Sequence, residues 1–519
     1  MILDKATQRY YRSILFKHQD GVVITGIVNT LLTKGVISFL EKERQTTLDD
    51  LCLQYPFFHK GYLNVALRSL ASQGIISYHI ESTSIEIAVT NKFESFKKYA
   101  NLYTEYSKLY SIQLQVLKDV ISESVKVDNE VLKLAQQFSI LNKEYQDAYF
   151  QNEVKWHLEA IMLLPYLVKL GFNASYLYLS NESVLEASPS LKLLLKELEL
   201  IEEGKLNQRG QFLIDKCYAY GVTVSYWPIF THINSYLYGD FNPFFIKDDN
   251  GIEQHVLRSI NVWGSGGAHA TYFKKFDEVI LDIFNQPLEK QPRGIIDVGC
   301  GNGALLEHVF DLIWNKTKRR KDLENNKLIL VGADFNKEAL LSTKRNLEKA
   351  NIWADVVWGD IGNPNQLDKE LQEKHQVSLS ELLNVRSFLD HNRPFNFPKQ
   401  ERVFTATATG AFAYRGEYLK NTQVEESLIE HFEKWKPYIQ KHGLLMIELH
   451  TVSPDKVSVN LGRTPCTAYD VTHGFSDQYI VDTTAFYNSV SMAGLSISKN
   501  HQYVFPNKET PTISINLIK

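Results

Sequence analysis

Gly294-Ile295-Ile296-Asp297-Val298-Gly299-Cys300-Gly301-Asn302-Gly303 reads as a buried strand that ends in an acidic residue and runs into a glycine-rich turn, with a helix opening at Ala304 to Phe310. Glycines at 299, 301 and 303 let the backbone turn tightly and leave room for a ligand against the main chain. Amides at the helix start offer donors to an anionic group such as a carboxylate. The turn alone is weak evidence, because several nucleotide-cofactor folds use one. The strands beyond Gly303 have to decide among them.

From about residue 255 strands and helices alternate, the signature of a doubly wound sheet. Ile295–Val298 is the first strand, Lys327–Ala333 the second, Ala354–Trp358 the third and Leu382–Phe388 the fourth. The charged stretch Lys316–Lys327 is read as a solvated loop. A helix from Glu425 to Lys441 stops at Gly443 and leads into the fifth strand, Leu444–Leu449, and the tail adds two more near Leu495–Tyr503 and Thr512–Leu517. Asp334 follows the second strand, where a carboxylate can accept from both hydroxyls of a ribose. Asp360, in Trp358-Gly359-Asp360-Ile361, ends the third, where it can accept from an adenine amino group. An NAD enzyme would also carry an acid near 334 but has no usual need of Asp360 in a Gly-Asp-Ile turn. Plain strand-end caps are the blander reading, ranked lower because three signals fall in order. With Asp297 completing the pattern, the sequence resembles a class I methyltransferase that uses S-adenosylmethionine (SAM). That resemblance implies an α/β, Rossmann-like sheet with the cofactor at Asp297, Gly299, Gly301, Gly303, Asp334, Asp360 and Ile361.

The remainder of the chain narrows the class. Its 519 residues suggest roughly two to four domains. A hydrophobic share of 44% with 22% charged residues describes a globular protein, and a net charge of −4 argues against nucleic-acid binding by counterion release. No apolar run reaches the about 20 residues that span a bilayer, and the first 16 residues lack a signal-peptide core. Cysteines 52, 217, 300 and 466 are scattered with no C-x-x-C pair, which fits a reducing, cytoplasmic setting.

Three domains are expected: a winged-helix-like unit over 1–96, a helical lid over 97–254 and the SAM-binding domain over 255–519. In the first, Gly21–Glu41 is an apolar helical stretch, Thr47 caps a short helix, Tyr62–Ser72 is a helix ended by Gly74, and 75–78 with 85–89 form a wing. A fainter copy comes later, with a helix through Leu191–Leu198, then Gly204 and a strand at Gly210–Leu213. The would-be recognition helix offers only Arg68 as a charge, so DNA binding ranks below a module for homodimerisation or for covering the substrate. Trp263–Phe273 joins lid to core; its glycines suit a hinge, and His269 and Tyr272 can face the transfer site, although packing explains both nearly as well.

Polar clusters gather where the strands end, which is where open α/β sheets bind ligands. They are Arg386-Ser387-Phe388-Leu389-Asp390-His391-Asn392-Arg393-Pro394, Glu448-Leu449-His450 and Tyr469 to Tyr479. Glu448 and His450 share a face by the two-residue strand period. Several histidines on one rim point either to a general base or to an octahedral N/O site for Fe(II) or Mn(II). Arg386–Pro394 and Thr472–Tyr479, with the Gly264–Phe273 hinge, resemble the methyltransferase domains in loading modules of apratoxin-type polyketide synthases. That family implies C-methylation of an acyl unit of the malonyl or 1,3-dicarbonyl type, held as a thioester on an acyl carrier protein, in some members with a mononuclear iron or manganese ion. On matching motifs His450, His473 and Gln478 are the ligand candidates, with Asp390 or His391 as ligand, base or supporting partner. No carrier-like segment follows Lys519, so a free-standing enzyme with a small-molecule substrate is also read. Metal-independent O-methylation with His391, His450 or His473 as general base is the runner-up. A SAM- or DNA-binding regulator without catalysis is the reading from another class.

Overall fold

Strands buried on both faces leave continuous apolar runs in a sequence, and the runs at 294–298 and 444–449 are strands buried along their whole length. The computed structural model describes residues 3–81, 84–119, 121–247, 253–266, 270–400 and 402–519, without the side chains of 266, 270 and 271. Two compact units result: residues 1–269 with 411–418 and 453–477, and residues 270–410 with 419–452 and 478–519.

Among the described residues, the large sheet of the second unit has seven strands: β1 (Gly294–Val298), β2 (Ile329–Asp334), β3 (Asp355–Trp358), β4 (Leu382–Ser387), β5 (Leu444–Leu449), β6 (Ile497–Phe505) and β7 (Ile513–Ile518). They lie in the order β3-β2-β1-β4-β5-β7-β6. β1 to β5 run parallel, while β7 is antiparallel to both β5 and β6. The chain therefore steps outward from β1 in both directions. That makes the crevice beyond the ends of β1 and β4 the switch point where such sheets take ligands.

In the first unit Lys5–Thr33 and Lys155–Leu177 are long helices, and the expected single helix over 21–41 is two, broken before Val36–Glu43 at Gly35. Phe150–Leu177 is long and apolar enough to cross a bilayer by length and composition, which corrects the reading that no run qualifies; 78% of its most apolar window is buried inside the protein. The strands 45–47, 85–89 and 76–80 pair antiparallel as a three-stranded wing. The fainter copy keeps a short hairpin at 201–206, but Gln208–Asp215 is a helix and not a strand, because Asn207 caps it through the Gly210 amide at 2.9 Å. The would-be recognition helix, Lys60–Ser72, is buried from Gly61 onward. Residues 411–418 and 453–477 pack on it: the Gly61 amide donates to Gly416 O at 2.8 Å, and Arg68 pairs with Asp470.

Candidate active site

Five strand ends line up along one edge of the second unit, and each contributes a group. β1 delivers Asp297 and the turn, in which Gly299, Gly301 and Gly303 have φ of 84°, 57° and 82°. A side chain at Gly299 would be strained by that φ and would also meet Leu389 Cδ2 at 2.8 Å, so the turn after β4 packs directly on the turn after β1. At Gly301 a Cβ would stand in open space, as a ligand cradle requires. The turn's amides are less available to an anion than the sequence implies. Gly299 and Cys300 donate to Ala333 O, Gly303 to Cys300 O, Ala304 to Asn302 Oδ1 and Gly301 to Asp334 Oδ2. Asp334 thus braces the turn, and its Oδ1 takes the Asn336 amide at 2.9 Å. Asp360 follows β3 and accepts from Gly362 N at 2.7 Å, while buried Ile361 gives its carbonyl to Trp435 Nε1 at 2.8 Å.

Asp297 is the informative member. It is buried, and among the described residues its carboxyl has no hydrogen-bond donor; burial first, then the neighbouring Asp334 carboxylate, push it up to about 7. Two carboxylates close together in a dry place fit a cation. SAM brings an α-ammonium and a sulfonium, so the residues suit this group: Asp297 for the ammonium, Asp334 for the ribose and Asp360 for the adenine. Because the Asp297 carboxylate is the form that attracts a cation, and its pKa lies above the ordinary 3.8, SAM affinity should hold above pH 7 and fall as pH drops through it. The fall should approach tenfold per pH unit until the bound-state pKa is reached, each tenfold step being worth about 1.4 kcal/mol. Calorimetric titration between pH 5.5 and 8.5 should show this slope in the native protein and lose it in Asp297→Asn; an unchanged slope in the variant assigns the effect elsewhere.

β4 carries the chemistry on from there. After Ser387 the chain turns out through Phe388, whose amide donates to Ile447 O at 2.8 Å, into a short 3-10 turn at Asp390–Asn392. His391 Nδ1 lies 2.6 Å from Glu448 Oε1 at the end of β5. The same carboxylate collects the amides of Asp390 (2.8 Å), His391 (3.2 Å) and Leu449 (2.7 Å). Four donors fix Glu448, and Glu448 fixes the His391 tautomer with its proton on Nδ1. Nε2 is then the ring nitrogen that carries no proton in this tautomer.

The other rim residues have different roles. His450, expected as base and ligand, has Nδ1 facing Val481 O at 3.1 Å and Nε2 facing Ser514 Oγ at 2.6 Å. Burial pulls it down to about 4, so it is a neutral, hydrogen-bonded core histidine. Asp390, expected as a ligand, has its Oδ1 2.6 Å from Arg386 Nη1 and 2.8 Å from His431 Nε2. Burial pushes Asp390 up, but the Arg386 guanidinium and His431 outweigh it and hold it near 2. His473 belongs to the first unit, where Nδ1 donates to Tyr469 O at 2.7 Å and the ring lies 5.9 Å from that of Tyr226. Gln478 is half-buried in the second unit. Among the described residues no three His, Cys, Asp or Glu side chains are grouped to hold a metal ion, so nothing here supports the expected iron or manganese. Tyr272 packs its ring 6.4 Å from Phe388 and 5.3 Å from Phe505. His269 lies outside the described residues. In the sequence Glu448 stands out only as a strand neighbour of His450, and His431 gives no local signal.

The family model described as the AprA MT2-like domain matches residues 253–516, just over half of the chain. The AprA N-terminal domain matches 11–78, and the AprA winged helix domain matches 139–240, the region of the fainter copy. No curated protein matches the sequence. Solved structures with similarity include the citrinin polyketide synthase CMeT domain, at 12% identity over 75% of this chain and 94% of that one, TM-score 0.35. CurJ carbon methyltransferase aligns at 10% identity over 79% and 98%, TM-score 0.32. An O-methyltransferase family protein from Burkholderia thailandensis aligns at 12% over 66% and 86%, TM-score 0.34. At that distance the chemistry of these proteins says nothing about the acceptor of this one.

Proposed function

We propose that this chain, which belongs to the AprA MT2-like family of SAM-dependent methyltransferases, methylates an acidic carbon of a small acyl substrate, a 1,3-dicarbonyl presented as a thioester. The observation that carries the reading is His391, locked through Nδ1 on Glu448 on a turn that packs against Gly299 of the cofactor turn. When bound, SAM supplies an electrophilic methyl on a sulfonium. His391 removes the proton from the acceptor carbon onto Nε2, and Glu448 stabilises the imidazolium that results. The carbon is left nucleophilic without any step through a metal. O-methylation would use the same base on a hydroxyl and remains the second reading, separated from the first by product structure alone. A DNA-binding role is the weaker alternative, since the helix is buried over Gly61–Ser72 and Arg68 is paired.

Trideuteromethyl-SAM with malonyl- and acetoacetyl-N-acetylcysteamine thioesters, and with phenols and carboxylic acids in parallel, tests the proposal. Label on the α-carbon is expected; label on oxygen alone would sink C-methylation. Exhaustive chelation should leave the rate within about twofold. A loss restored by Fe(II) or Mn(II) would bring the metal back.

A further inference from the structure

Phe388 is a bulky residue with φ of +53°, in the left-handed region that glycine and asparagine occupy at little cost. The backbone has a reason for this. Its amide is tied to Ile447 O at 2.8 Å, and the next residue, Leu389, must reach Gly299 while His391 reaches Glu448. That reason covers the turn and not the side chain: a glycine would turn the chain with no strain. The ring is only half-buried, beside Tyr272, which stands edge-on at 6.4 Å and in turn contacts Phe505 at 5.3 Å. Strain kept in a half-buried aromatic at a strand end belongs with ligand contact more than with packing.

We infer that Phe388, backed by Tyr272 and Phe505, is the wall of the acceptor site, against which a planar acyl group lies and by which its chain length is limited. The inference rests on the C-methylation reading and adds to it a specificity-determining residue. An enolised 1,3-dicarbonyl is flat, and an aromatic ring gives it an apolar surface that keeps water from the reacting carbon.

The test compares Phe388→Gly, which removes ring and strain, with Phe388→Ala, which removes the ring and keeps the strain. For each, SAM affinity, melting temperature and kcat/KM on acetoacetyl-, 3-oxohexanoyl- and 3-oxooctanoyl-N-acetylcysteamine are measured. Phe388→Gly should melt above Phe388→Ala and bind SAM within about twofold of the native protein. In both variants kcat/KM on the shortest acceptor should fall at least about tenfold and the preference move toward longer chains. Native kcat/KM and native chain preference in Phe388→Gly would overturn the inference, as would a loss of SAM affinity matching the loss of rate. A native enzyme inactive on every thioester would instead overturn the C-methylation reading, and the wall would be judged on the oxygen acceptors of the same panel.

Discussion

Replacing His391 with alanine is expected to lower kcat by about 10²–10⁴, the range a positioned general base contributes, while SAM affinity stays within about twofold. The separation comes from the layout. The acids proposed for the cofactor hang from β1, β2 and β3, whereas the proposed base hangs from the turn after β4 and is fixed from β5. Glu448→Gln should cost a comparable amount for a different reason. A carboxamide can still accept backbone amides, but it cannot hold Nδ1–H against a charge, so the imidazole loses both its tautomer and the counter-charge for its protonated form. Stopped-flow or single-turnover transfer from labelled SAM reads the chemical step directly. A His391→Ala enzyme within about threefold of native kcat would place the base elsewhere.

The strands of the second unit are readable because burial on both faces writes itself as local apolar runs, and the bounds expected for β5 are those observed. The candidate acids for the cofactor are readable for a related reason: each lies at or next to the end of its own strand in sequence. The proposed base is only half legible. His391 is visible, but its partner Glu448 lies 57 positions on and sits two residues from His450, which carries the same outward signal. Nothing local separates a histidine held by Ser514 and Val481 from one held by a carboxylate. Asp390 misleads in the same way. The arginine that neutralises it is four residues away and is visible in the sequence, whereas His431 arrives from a helix 41 positions along. At Gly210 the cause is different: the glycine looks like punctuation in a strand, while the Asn207 cap is the stronger signal and starts a helix.

Arg386→Met is expected to destabilise the second unit by about 3–5 kcal/mol, the usual result of removing one member of a buried ion pair. Arg386 and Asp390 are both essentially without solvent contact, and the guanidinium lies 3.7 Å from the centroid of the Trp435 ring. His431 is no substitute in its present state, since burial draws it down to about 4 and leaves it neutral at physiological pH. The variant would therefore strand a carboxylate that burial alone pushes upward. The dependence on pH has a definite sign. In the native protein Asp390 is depressed from 3.8 to about 2, so its contribution is complete above pH 3.8 and is lost as pH falls through 2. In Arg386→Met the carboxyl rises instead and takes a proton readily, so the deficit is greatest near neutrality and shrinks as the solution is acidified. Adding Asp390→Asn should recover much of the loss, because an uncharged amide can serve His431 without needing the arginine. Hydrogen exchange of the β4 and β5 amides at pH 5 and pH 7.5 measures both effects. A deficit independent of pH, or a double variant no better than Arg386→Met, would mean that the arginine acts by filling space over Trp435 and not by neutralising Asp390.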